Sequence, residues 1–558
     1  MISSNKKVVQ IIVRKLLENG VNHVVCSPGS RNAPIVIALD EHPKMNCIVV
    51  HDERSAAFFA LGMSQQLNAP VGMVCTSGSA MLNYYPAVAE AFYQRIPIVV
   101  ISADRPEKWI NQGDGQTIVQ RGVYTNHIDS EIAISEDENL EIVESKLDEA
   151  LNHVNTFSKG PIHINVAVDE PLYKTEEIPD EEITVKKFTY TNLISLAEKT
   201  LIKNAQFLPK KLFLFGQMTE NEKLRNLLME TANDSSVAIL VENTSNLVSQ
   251  HWIHCIDRTL NLIDSNEIAH FSPDVLVTFG GAIVSKRIKA FLRGNKPKIH
   301  LKVGFDFPEM NTYECLTHSF ELKDTDFLST WNDLKPELPT SSFGNKWKQL
   351  DFLAQEKSKV ALNSISFSDL KVFETILDFV PDGSHLHMAN SSVVRYCQLF
   401  DPVKGINYWS NRGTSGIDGS TSTAVGSAIA NPAEFHTLIT GDVSFFYDSN
   451  ALWNNYKVPN LRIFLINNGG GGIFNIINGP RESKQNQQYF EAKHQHSAEF
   501  ICKAMNVEYC EARNMETLEN QMEFFYNENV SGGIKLMEID TSGVSNHLVL
   551  DEFFEKLR

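Results

Sequence analysis

The chain has 558 residues, 42% of them hydrophobic, and a formal net charge of −18. That length is too great for one core and predicts about three to four domains, while the negative charge argues against nucleic acid or an anionic membrane surface as general partners. Eight scattered cysteines without a CxxC pair form a reduced pattern, pointing to a cytoplasmic protein without a zinc site or disulfide framework.

No signal peptide is expected, because Arg14 and Lys15 interrupt the early apolar run Ile11–Val13. No apolar run reaches membrane length, so no integral membrane segment is expected. Residues 6–19 read as an amphipathic helix that stops at Gly20, and Val21–Cys26 as a buried strand. The strand breaks into SPGSRNAP (27–34), where a loop bearing Gly and Arg before a helix suits an anion, or is an ordinary turn.

Ile48–Val50 reads as a strand leading into HDERSAAFFALG (51–62). Glu53 starts a helix of small and apolar residues. Such a carboxyl suits proton handling, although a first-turn acid favouring the helix dipole is the commoner reading. Further strands are expected at Val71–Thr76, Ile98–Ser102 and Ile162–Val168, with a long helix from SGSA (77–80) to Tyr93. The alternation predicts a doubly wound α/β unit. Residues 169–185, acidic and Pro-bearing, read as a linker.

A second α/β region carries expected strands Leu212–Phe215, Ala238–Val241, Val275–Phe279 and Ile299–Val303. Lys286 and Arg287 follow early in a helix, where two adjacent cations are usually a solvated face. Lys335–Gly344 reads as a second linker. The expected domains are therefore 1–180, 186–340 and 346–558.

In the third region, Phe435–Thr440 and Leu461–Ile466 read as buried strands around a helical pattern. A βαβ unit makes them parallel, which brings Asp442 and Asn468 to one sheet edge, where ligands bind. A carboxylate and an amide oxygen beside the glycines 469–472 suit Mg²⁺ and a diphosphate. Equally, Gly-Asp could be a turn and Asn-Asn-Gly a C-cap, with no metal.

The same spacing resembles the thiamine-diphosphate (ThDP) motif, GD(G) followed by NN, with Val443 in place of the third-position Gly. The three-region layout is similar to that of the ThDP-dependent decarboxylase superfamily. Within it the chain resembles the MenD family, the 2-succinyl-5-enolpyruvyl-6-hydroxy-3-cyclohexene-1-carboxylate synthases. The resemblance runs over nearly the whole length, through SPGSR (27–31), HDERSAAFFALG (51–62), TSGSA (76–80), ADRP (103–106), GDGQ (113–116), GPIHINV (160–166), SKR (285–287), NSSVVR (390–395) and NRGTSGIDGS (411–420).

The resemblance implies three doubly wound parallel-sheet domains: pyrimidine-binding, linker and diphosphate-binding. It implies a homo-oligomer, dimer or tetramer, with active sites between the first domain of one copy and the third of another. The implied reaction is a transferase step of menaquinone synthesis, in which 2-oxoglutarate is decarboxylated and added to isochorismate. Implied metal ligands for Mg²⁺ or Mn²⁺ are Asp442, Asn468 and Gly470. Glu53 would donate a proton to N1′ of the ThDP pyrimidine, and Ile417 would prop the bent cofactor. Further cofactor contacts fall on Ser77, Gly78, Asn390, Gly413, Val443, Ser444, Ile473 and Phe474.

Both substrates are dicarboxylates, and the guanidinium fork meets carboxylates bidentately. Ser391, Arg395 and Arg412 are expected to hold one substrate. Ser30, Arg31, Arg105, Gln116, Lys286 and Arg287 are expected to hold the other, isochorismate. Rival readings are another ThDP-dependent 2-oxo acid decarboxylase or carboligase of the acetohydroxyacid synthase kind, and a non-catalytic ThDP-fold regulatory subunit.

Overall fold

The computed structural model describes residues 1–156, 158–180, 182–186, 188, 190, 193–219, 221–336, 341–477, 479–526 and 532–558. Apolar runs bounded by turn residues form three parallel sheets, whose central strands are buried over nearly all their length. Burial on both faces is what a parallel sheet covered by crossover helices requires. The fold is α/β throughout.

The first sheet has six strands in the order Asn46–Val49, His23–Cys26, Val71–Cys75, Ile98–Asp104, Ile162–Ala167, Ser130–Ser135. The second has five: Val237–Val241, Lys211–Phe215, Val275–Phe279, Ile299–Val303, His318–Phe320. The third has six: Asn407–Trp409, His385–Met388, His436–Gly441, Leu461–Asn467, Lys535–Asp540, Glu508–Ala512. Among the described residues no helix is long and apolar enough to cross a membrane, and all eight cysteines are free thiols.

Four local expectations need correction. The long helix up to Tyr93 is two, Ala80–Asn83 and Tyr85–Gln94. Pro86 stands at the start of the second, where its missing N–H costs nothing. The strands Ser130–Ser135 and His318–Phe320 at sheet edges, and His385–Met388, Asn407–Trp409, Glu508–Ala512 and Lys535–Asp540 in the third sheet, were not expected; at an edge one side lacks a neighbour and the apolar signal weakens, and His385–Met388 alternates histidines with apolar residues. The stretch 169–185 is not purely linker, since Thr175–Glu177 pairs antiparallel with Ile2–Ser4. Helix Phe343–Leu362 begins inside the second expected linker, of which residues 337–340 lie outside the described residues.

The first and third sheets are joined by helices Glu53–Leu67 and Ser420–Ala430. Two glycines set their separation. A Cβ on Gly62 would lie 2.0 Å from the Thr423 carbonyl oxygen, and one on Gly426 would lie 2.3 Å from that of Phe59. Gly419, at φ +74°, leaves room for the Phe58 ring.

Candidate active site

Strands His436–Gly441 and Leu461–Asn467 are parallel, with Gly441 opposite Ile466. Their carboxyl ends therefore deliver Asp442 and Asn468 to one edge. Asp442 is 2% exposed. One oxygen accepts from the Val443 N–H at 2.6 Å and the other from the Gly470 N–H at 2.9 Å. Gly469 and Gly470 have φ of +79° and +149°, and a Cβ on Gly470 would lie 2.5 Å from the Glu491 carbonyl oxygen. Only glycine allows that backbone to turn its amides on Asp442. Burial pushes the carboxyl up to about 6, opposed by the amides of Val443, Gly470, Gly469 and Asn468.

The Asn468 amide nitrogen donates to Asp369 at 2.9 Å, and among the described residues its oxygen takes no hydrogen bond, so it can face a cation. The Gly470 carbonyl accepts from the Gly472 N–H at 2.9 Å. His494 Nε2 lies 3.4 Å from Asp442. A carboxylate, an amide oxygen and a carbonyl are hard donors that fit Mg²⁺ or Mn²⁺, which take oxygen ligands and complete their shell with phosphate and water. Among the described residues no group of three or more His, Cys, Asp or Glu could hold a metal, so any ion here needs amide and carbonyl ligands. A cavity of about 800 Å³ opens beside Asn468, Asp369, Ser392 and His494.

The loop before helix Ser420–Ala430 covers this edge. Ser444 Oγ donates to the Ile417 carbonyl at 2.6 Å, and Ile417 keeps 38% of its surface exposed. Asn390 donates to the carbonyls of Asn411 and Gly416, both at 2.7 Å. From the other side Glu90, 1% exposed, accepts from the N–H groups of Gly413 and Thr414 at 2.7 and 2.6 Å. Ile473 is buried on helix Ile473–Ile476, and Phe474 packs 5.8 Å from the Phe490 ring.

Cations gather between the second and third sheets. Arg412 donates to Asn390 at 2.7 Å. Ser391, at φ +72°, turns its carbonyl to accept from the Arg395 guanidinium. Burial lowers the pKa of Arg395, and Arg412 lowers it further, while Asp257 and Glu242 oppose. Burial likewise lowers Arg412, opposed by Glu242 and Glu90. Arg287 donates to Asn261 at 3.1 Å and lies 4.0 Å over the Phe554 ring. Lys286 is exposed. Lys289, unforeseen from sequence, joins the group: burial lowers its pKa, and Glu242 opposes. Its signal was its place three residues beyond Lys286, on the same helix face.

The remaining candidates lie on the rim of the first sheet. Glu53, half-buried, opens helix Glu53–Leu67, and its carboxylate accepts from Asn83 at 3.4 Å. Its neighbours clamp to the third unit: Asn450 donates to Asp52 at 2.7 Å, Arg54 donates to the Tyr447 carbonyl at 2.7 Å, and the His51 ring stacks 5.1 Å from Trp453. Arg31 donates to the Val168 carbonyl at 3.2 Å, and Arg105 donates to the Gly115 carbonyl at 3.0 Å and pairs with Asp114 at 2.8 Å. Gln116 is exposed at φ +54°, and its backbone is 3.1 Å from where a Gly78 Cβ would stand. Ser77 Oγ is buried without a hydrogen-bond partner among the described residues, and Ser30 is exposed.

Within one chain the candidates thus form two groups. Ser30, Arg31, Glu53, Ser77, Gly78, Arg105 and Gln116 line the first rim; the others line the third sheet and its junction with the second. Among the described residues no hydrogen bond or ion pair joins a candidate of one group to a candidate of the other.

Comparison with known proteins places the chain in a family. A family profile described as "Thiamine pyrophosphate enzyme, N-terminal TPP binding domain" matches residues 6–129. The chain is 41% identical over 565 residues to the 2-succinyl-5-enolpyruvyl-6-hydroxy-3-cyclohexene-1-carboxylate synthase of Flavobacterium johnsoniae, covering 100% of each. It is 42% identical over 562 residues to the protein of that name from Flavobacterium psychrophilum, again covering 100% of each. Against that of Christiangramia forsetii it is 40% identical, covering 99% of each.

Proposed function

The chain belongs to the 2-succinyl-5-enolpyruvyl-6-hydroxy-3-cyclohexene-1-carboxylate synthase family of ThDP enzymes, and we propose that it joins 2-oxoglutarate, with loss of CO₂, to isochorismate in menaquinone synthesis. The observation that carries this reading is one edge of the third sheet. There a buried carboxylate, an amide and a glycine turn meet beside two half-buried to buried arginines fixed by backbone and amide contacts. Bound ThDP supplies a carbon centre that takes up the electrons released with CO₂.

The chain's own residues do the rest. Asp442, Asn468 and the Gly470 carbonyl hold Mg²⁺ or Mn²⁺ against the diphosphate. Val443, Ser444, Ile473, Phe474, Gly413 and Asn390 would line the cofactor, and Ile417 would prop it. Glu53 would hold a proton at the cofactor's pyrimidine nitrogen, and Ser77 and Gly78 would contact the cofactor. Arg395, Arg412 and Ser391 clamp one dicarboxylate; Ser30, Arg31, Arg105, Gln116, Lys286 and Arg287 receive the other.

The two groups of candidates favour an assembly in which a second copy completes each site. We read the chain as three domains, 1–180, 186–340 and 346–558, forming a dimer or tetramer in the cytoplasm. Exposed Ile417, Leu82, Tyr447 and Trp453, at 38–51% of their surface, suit such a junction.

The test is product formation from 2-oxoglutarate, isochorismate, ThDP and Mg²⁺, with each omitted in turn. Loss of product on every omission supports the reading. CO₂ release from pyruvate in preference to 2-oxoglutarate would favour an acetohydroxyacid synthase-like activity instead.

A further inference from the structure

An amide beside a cation site poses a choice that a carboxylate does not. Asn468 can present either its oxygen or its nitrogen, and only the oxygen binds a cation. The structure shows what makes the choice. Asp369, 2% exposed, faces Asn468 with one carboxylate oxygen, 2.9 Å from the amide nitrogen. An ionised carboxylate only accepts, so the nitrogen must point to Asp369 and the oxygen away from it.

Asp369 is itself fixed. Its other oxygen accepts from Thr541 Oγ1 at 2.5 Å, and its backbone N–H donates to Asn546 at 2.8 Å. The Thr541 N–H in turn donates to the Asn467 carbonyl at 2.9 Å, next to the amide being oriented. Asp369 opens helix Asp369–Phe379, yet the cap is Ser368, whose side chain accepts from the Lys371 N–H. The Asp369 side chain is thus spent across the sheet edge, on Asn468 and Thr541.

We propose that Asp369 is a positioning residue that locks the Asn468 amide with its oxygen toward the cation, so that the donor set around Asp442 is all oxygen. Groups that orient metal ligands typically matter by roughly 10–100-fold in metal affinity. This inference rests on the metal reading of Asp442 and Asn468.

The test measures the Mg²⁺ concentration that half-saturates ThDP binding to the full-length apoenzyme, read by intrinsic fluorescence, alongside the Mg²⁺ dependence of turnover. D369A should raise both by roughly 10–100-fold, with turnover recovering at high Mg²⁺. T541V, which frees the second oxygen of Asp369, should move both the same way by less. A wild-type Mg²⁺ dependence in D369A would overturn the proposal, provided D442A abolishes Mg²⁺-dependent binding. So would a loss of turnover in D369A that Mg²⁺ does not restore, which would mark a structural role. Wild-type Mg²⁺ dependence in D442A would overturn the site reading itself, and with it this inference.

Discussion

The Asn390 side-chain oxygen accepts a hydrogen bond from the Arg412 guanidinium at 2.7 Å, while the same side chain's nitrogen holds the carbonyls of Asn411 and Gly416. One amide thus fixes both a buried cation and the loop that carries Ile417. N390A should free both at once. A hydrogen bond to a charged group contributes about 1.5–3 kcal/mol, so the KM for one dicarboxylate should rise roughly 10–100-fold. Steady-state kinetics with each substrate varied in turn would identify which.

Glu90 bears on the same loop from the first unit. Its carboxylate takes two backbone N–H groups and the Thr414 hydroxyl. E90A leaves those part-buried donors without their acceptor and should lower stability by about 1–3 kcal/mol. A denaturant melt reads the loss; an unchanged midpoint would mean that the loop finds other partners.

Glu53 is expected to act on a proton rather than on binding. E53Q keeps the shape and removes the exchangeable acid. Turnover should fall at least about 100-fold, the usual scale of general acid–base catalysis, with ThDP affinity nearly unchanged. Turnover near that of wild type would take Glu53 out of the chemistry.

A pH effect follows from Glu242. Burial pushes its carboxyl up from 4.5 to about 7, although the N–H groups of Val284 and Ser285 donate to it at 2.7 and 2.8 Å. Between those two values the folded chain keeps a proton that the unfolded chain has lost. Stability attributable to this group therefore falls as pH rises across that window and is flat on either side. The span corresponds to roughly 3 kcal/mol. Denaturant melts across the window should show a downward slope in wild type that E242Q flattens.

Much of this was legible in the chain. FHTLIT, LRIFLI, IVVIS and VLVTF announce central strands because both their faces are largely buried, and Gly-Asp and Asn-Asn-Gly mark where the first two end. The edge strands Ser130–Ser135, His318–Phe320 and Thr175–Glu177 escaped notice because they are short or half-solvated, and the interior strands His385–Met388 and Lys535–Asp540 because polar and charged residues interrupt their apolar runs. The meeting of Asp442 with the 468–470 turn followed from parallel strand order alone. The supports around it did not. Asp369 reaches Asn468 across 99 residues and Glu90 reaches Gly413 across 323, and no local pattern records such pairs. Glu90 left only a faint trace, a lone acid in the apolar helix YPAVAEAFYQ.

Asp442 is proposed to anchor ThDP through a cation, separately from the step assigned to Glu53. Titrating ThDP into wild type, E53Q and D442A, each with and without Mg²⁺, tests it most directly. Binding should be tight and Mg²⁺-dependent in wild type and E53Q, and weak and not improved by Mg²⁺ in D442A. Wild-type affinity and Mg²⁺ dependence in D442A would contradict it.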